Sequence, residues 1–108
     1  MMEDYIQVIT TTEEKKDAER IASSLVEKRL AGCVQIIGPI MSTYHWKGNI
    51  ETSKEWLCLI KSRKDLYVEL EKAIKEMHPY ETPEIIATPV VGGSKDYLKW
   101  LSDELKKE

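Results

Sequence analysis

What this sequence has little of narrows its function before any motif is read. Its 16 Lys and Arg stand against 19 Asp and Glu, a formal net charge of −3. No positive field draws in a polyanion, so nucleic acid is not an expected partner. The two cysteines, Cys33 and Cys58, sit in apolar runs without CxxC spacing. That usage points to buried, inert thiols in a reducing compartment, the cytoplasm, rather than to a disulfide framework. No run approaches the ~20 apolar residues of a membrane span, and the start, MMEDYIQV, lacks the basic and apolar segments of a secretory leader. GxSxG, P-loop, HExxH and GxGxxG motifs are absent, and neither cysteine has an evident partner base. The expectation is a protein that is not an enzyme.

What is present suits one domain over residues 1–108: 42% hydrophobic content in a chain of 108 residues builds a core without disulfide or metal. Tyr5–Ile9 reads as a buried strand running into Thr10-Thr11-Thr12. Thr11 and Glu14 match a capping box for a first helix, whose apolar positions Ala18, Ile21, Leu25 and Leu30 recur at helical spacing up to a stop at Gly32. CVQIIGPIMSTYHW (33–46) is a long β-prone run that bends at Gly38-Pro39. Lys47-Gly48-Asn49 turns it into a second long run, Ile50 to Ser62. Ser62 and Asp65 open a second helix, which must end before Pro79. Glu84 to Val91 forms a fourth strand, and Ser94 caps a last helix carrying Tyr97, Leu98, Trp100, Leu101 and Leu105 before the tail Lys106-Lys107-Glu108. The order predicts an α+β, ferredoxin-like βαββαβ sandwich with a long central hairpin and an extra C-terminal helix.

That hairpin carries the first functional inference. Two strands of ~13 residues span roughly 40 Å, outreaching the helices that should cover them. An overhanging apolar hairpin and an uncovered sheet face are aggregation hazards unless identical subunits bury them, which predicts an obligate homo-oligomer.

The chemistry concentrates in HPYETPEI (78–85). His78 with Glu81 and Glu84 is a candidate site for Cu(II), Zn(II) or another divalent cation, weakly held and not an obligatory cofactor. The competing reading makes His78 a cap on the second helix, its imidazole on orphan carbonyls. His45, between two aromatics within a strand, reads as packing or surface. A rigid aromatic loop set against a neighbour's hairpin outlines a candidate intersubunit cleft: Tyr44, Trp46, Glu55, Lys61, His78, Tyr80 and Trp100.

EKRLAGCVQI, YHWKGNIETSKEW, HPYETPEI and DYLKWL, in this order, resemble the CutA family, the divalent-cation tolerance proteins. The most specific elements are Tyr44-x-Trp46-x-Gly48 and His78-Pro79-Tyr80-Glu81-Thr82-Pro83-Glu84. The resemblance implies a homotrimer similar in architecture to the PII signalling proteins, with hairpins wrapping around neighbours, and a role in copper tolerance. It also implies an alternative, a sensor binding a small molecule in the intersubunit clefts. Metal-binding members use a cysteine near the end of the first strand and two adjacent histidines opening the HPY motif. Here those positions hold Thr10, Met77 and His78, and only the last is an ordinary ligand for a borderline cation. Met77 falls in register with the core face of its helix.

Overall fold

The computed structural model describes residues 4–107. Residues 1–3, part of the stretch read for a leader, and residue 108, the end of the charged tail, lie outside the described residues. The chain runs β1 (Tyr5–Thr12), α1 (Lys15–Glu27), β2 (Cys33–Trp46), β3 (Asn49–Arg63), α2 (Tyr67–Met77), β4 (Ile86–Pro89) and α3 (Lys95–Glu104). The strands form one antiparallel sheet ordered β2-β3-β1-β4. This is the split βαβ order expected of a ferredoxin-like sandwich.

Side-chain alternation divides the sheet into two unlike faces. One face presents Val8 and Thr10 of β1 beside Ile60 and Cys58 of β3, all fully buried against α1 and α2. Ile21 and Leu25 of α1 and Leu70 and Ile74 of α2 are likewise sealed from water, each burial contributing about 1.5–3 kcal/mol. The other face presents Gln7, Ile9, Leu57 and Leu59, only half-buried, with Ile37 and Ile86 exposed. Only its end is covered, where Leu98, Leu101 and Leu105 join Tyr5 and Leu66 in a second cluster.

The connections depart from the expected punctuation in four places. β1 continues through the threonines, and no side chain caps α1: Thr12 Oγ1 donates to the Glu14 carbonyl at 2.8 Å instead of Thr11 closing a capping box. α1 ends well before Gly32. Arg29 takes a left-handed φ of 58°, with Leu30 N–H donating to Leu25 O and Arg29 N–H to Val26 O, both at 3.0 Å, a Schellman closure. The Arg29 guanidinium donates to the Glu104 carbonyl at 2.8 Å and the Arg29 carbonyl accepts from Lys106 N–H at 2.8 Å, so contacts to the C-terminal segment hold this conformation without glycine. Ser62 does not cap a helix. It lies buried in β3 and donates to the Leu30 carbonyl at 2.7 Å, while a 3-10 turn, Lys64–Leu66, leads into α2. β4 spans only Ile86–Pro89 of the expected Glu84 to Val91, although Val90 N–H still donates to Tyr5 O at 2.9 Å.

The hairpin is as long as expected, with 14 residues in β2 and 15 in β3, and the molecule measures 47 × 25 × 22 Å. Lys47 (φ 50°) and Gly48 (φ 84°) close it between the paired Trp46 and Asn49, the two left-handed residues of a type I′ turn. Between Ile37↔Leu57 and Ile40↔Glu55, Gly38 and Pro39 oppose Trp56 alone, a β-bulge. The bulge rephases the strand: Cys33, Gln35 and Ile37 lie on the open face before it, and Ile40, Ser42, Tyr44 and Trp46 after it.

Two substitutions probe this packing. Thr10 Oγ1 is buried with no hydrogen-bond partner among the described residues, so Thr10→Val should raise unfolding stability by about 1 kcal/mol. A Cβ at Gly38 would clash with the Trp56 ring, so Gly38→Ala should lower stability by about 1–3 kcal/mol. Urea unfolding of both variants beside the parent checks the two signs.

Candidate functional site

The site begins where α2 stops. Pro79 disfavours helical backbone at His78, which is extended (φ −77°, ψ 133°) although its N–H still donates to Ile74 O at 2.9 Å. Arg20 of α1 fastens the same helix end, its Nη2 donating to the Met77 carbonyl at 2.9 Å and pairing with Asp17 at 3.2 Å. The His78 ring turns inward and is buried against the end of β1. Nε2 lies 2.7 Å from the Thr11 carbonyl, and Nδ1 accepts from Tyr80 N–H at 3.1 Å. An amide can only donate, so Nδ1 holds the lone pair and Nε2 carries the proton. Burial pulls the His78 pKa below its ordinary value, against the opposing pull of the Thr11 carbonyl and the Asp17 and Glu55 charges, with Arg20 adding to the lowering.

Tyr80 completes the unit. Its ring meets His78 edge-on with centroids 4.7 Å apart, and its hydroxyl donates to Glu55 Oε2 of β3 at 2.6 Å. Burial first, and the Glu55 carboxylate second, push ionisation of the Tyr80 hydroxyl far upward, so it stays a donor.

The metal set expected from the sequence does not come together. Glu81 and Glu84 are exposed, and among the described residues no three His, Cys, Asp or Glu side chains converge to hold a metal ion. Both His78 nitrogens are committed to the backbone. The other two positions implied by the resemblance hold the buried hydroxyl of Thr10 and the Met77 thioether, packed against the core. A hydroxyl, a thioether and an imidazole without a free lone pair do not fit a borderline divalent cation. His78 is the C-cap of α2 through its backbone N–H, but its imidazole does not meet the helix's own carbonyls: it bonds across to β1, where the short β4 leaves that edge in need of a partner.

The candidate cleft residues are only partly joined within one chain. Tyr44, Trp46, Glu55 and Lys61 share the open face. Tyr80 meets His78 and Glu55 directly, and Tyr44 is close enough to act on the Tyr80 hydroxyl. Trp46 at the hairpin end and Lys61 each stand six residues from Glu55 in register, about 20 Å along the strands. Lys61 donates to Gln35 Oε1 at 2.8 Å, and Trp100 lies on the outer side of α3 beside Tyr97, with centroids 5.5 Å apart. His45 is exposed. Cys58 is buried, its thiol pushed up to about 11 by desolvation, whereas Cys33 is half-buried rather than sealed. Sequence reasoning missed the Thr11 carbonyl and Arg20 as parts of this site. A main-chain acceptor leaves no mark on residue identity, and Arg20 reads as one charge of a solvated helix face.

Residues 6–104 match the family model described as CutA1 divalent ion tolerance protein. The chain belongs to the CutA1 family. It is 40% identical over 103 residues to the divalent-cation tolerance protein CutA of Pectobacterium atrosepticum, spanning 95% of this chain and 94% of that one. Among solved structures, it superposes on the CutA1 protein of Oryza sativa with a TM-score of 0.94 at 37% identity, covering 97% of this chain and 96% of the other. The divalent cation tolerance protein of Thermus thermophilus gives 0.92 at 36% identity, covering 94% and 99%. The matched range takes in both the hairpin and HPYETPEI.

The His78 geometry makes stability depend on pH with a definite sign. Its folded pKa lies below the unfolded value, so its contribution is intact above the ordinary imidazole range. It is lost as pH falls below that range, where the unfolded chain takes up a proton that folded His78 refuses. His78→Asn can keep an acceptor for Tyr80 N–H but does not titrate. Chemical unfolding at about pH 7.5 and about pH 5.5 should show a larger acid loss in the parent than in the variant. Equal losses would show that His78 does not supply this dependence.

Proposed function

We propose that this CutA1-family chain acts in divalent-cation tolerance, copper included, as a non-enzymatic cytoplasmic homotrimer of PII-like architecture that binds divalent cations weakly. The observation that carries weak binding is the double commitment of the His78 ring to Thr11 O and Tyr80 N–H. The exposed carboxylates of Glu81 and Glu84 remain for loose, solvated contact with Cu(II) or Zn(II). Assembly is supported by the apolar surface one chain leaves in water, with Ile37 48%, Met41 68% and Ile50 72% exposed along the hairpin. The reducing compartment is supported by Cys33 and Cys58, both free thiols. The reading as a non-enzyme rests on a histidine whose two ring nitrogens are both occupied by backbone groups.

A second reading is a sensor whose intersubunit clefts take a small effector. It is favoured by the buried Glu55 on the open face, bonded to the half-buried Tyr80 and next to Tyr44.

Calorimetric titration of the untagged protein with Cu(II) and Zn(II) should give a shallow isotherm without a stoichiometric break, and His78→Ala should leave it unchanged. A sharp break that this variant abolishes would overturn the weak-binding reading. Sedimentation at low micromolar concentration should give the mass of three chains, and a monomer would overturn the assembly.

A further inference from the structure

Glu55 is buried without a compensating cation among the described residues. It is 6% exposed, and removing a carboxylate from water costs several kcal/mol unless a counter-charge or several hydrogen bonds replace the solvent. Among the described residues its one hydrogen-bond partner is the Tyr80 hydroxyl, and such a bond to a charged group contributes about 1.5–3 kcal/mol. No Lys or Arg among them forms an ion pair with Glu55. Other bases are engaged elsewhere: Arg20 on Met77 O and Asp17, and His78 on the backbone as a neutral ring, while Lys61, about 20 Å along the strand, bonds to Gln35. A metal ion is a poor substitute, because a stable site needs three or more protein donors and none converge here.

Around Glu55 the open face is ready to be covered. Ile37 is exposed and Leu57 half-buried in the adjoining pairs, and Tyr44 leans along the face with its hydroxyl 3.1 Å from Ser53 Oγ. An ionised carboxylate has about four lone-pair sites, so oxygens already bonded to Tyr80 still accept from a second donor. A planar guanidinium or a compact ammonium matches that need with both charge and N–H groups.

We infer that Glu55 is the anionic half of a cation-binding point on the open sheet face, completed by an ammonium or guanidinium group that the single chain does not supply. The group is either a Lys or Arg side chain of a second copy or the amine of a small molecule in the cleft. The inference rests on the open face being an intersubunit surface, and it adds the chemistry of what binds there.

Glu55→Gln tests it, since glutamine keeps the shape and an acceptor for Tyr80 and removes only the charge. The full-length protein is followed by thermal unfolding and native mass spectrometry over a range of concentrations, in ethylammonium chloride or sodium chloride at matched ionic strength. If a second copy supplies the cation, the variant should unfold at lower temperature and need roughly tenfold or more protein to assemble. If a small amine supplies it, ethylammonium should raise the parent's unfolding temperature above that in sodium and leave the variant unmoved. A variant as stable as the parent or more so, with the same ethylammonium response, would mean that the charge has no counterpart. Absence of both signatures overturns the inference whatever the unfolding temperature. A monomer by mass spectrometry would sink the trimer separately, because the ethylammonium comparison still reports on Glu55.

Discussion

β1 has eight residues and β4 has four, and the site is built to meet that shortfall. The ladder between them stops at Ile9↔Ile86, leaving the edge of β1 from Thr10 to Thr12 without a strand. Backbone carbonyls in a buried edge need donors. His78 supplies one to Thr11, and the turn that brings its ring there also carries Tyr80 across to Glu55. The proline-rich segment replaces a strand with side chains. Its histidine is thereby used up in construction.

Much of the architecture was legible because it depends on pattern and turn chemistry. Period-two and helical apolar spacing located the strands and helices, Lys47-Gly48 closed the hairpin, and Ser94 caps α3 by accepting from Tyr97 N–H. Apart from the shortened β4, the errors of punctuation fell at helix ends, where contacts distant in sequence decided. Arg29 does the work expected of Gly32 because the C-terminal segment, 75 residues further on, receives its guanidinium. Ser62 had a cap's identity and neighbours, yet β3 extends past it and buries it.

The site was legible as residues but not as bonds. HPYETPEI stood out, and His78, Tyr80 and Glu55 were all candidates. Nothing local says that a histidine beside two glutamates will turn from them to a carbonyl 67 positions earlier. The same holds for Glu55, which reads as one acidic residue in a polar stretch and becomes a buried charge only through Tyr80, 25 residues away. Within one chain, Trp46 and Lys61 are separated from Glu55 by the rise of the strands, and Trp100 lies on α3.

The bulge at Gly38-Pro39 gives β2 a property of another kind. A strand in regular phase has one amphipathic code along its length, so every substitution is judged against the same inside and outside. Here the code inverts midway, with odd positions facing one way up to Ile37 and even positions from Ile40 onward. Loss of a single codon at the bulge would restore an unbroken alternation and leave Tyr44 and Trp46 on the open face, still opposite Glu51 and Asn49, with Cys33 to Ile37 also in place. The two halves of the strand therefore read in opposite sequence phase and build one surface, and the extra residue at the bulge is what reconciles the two phases.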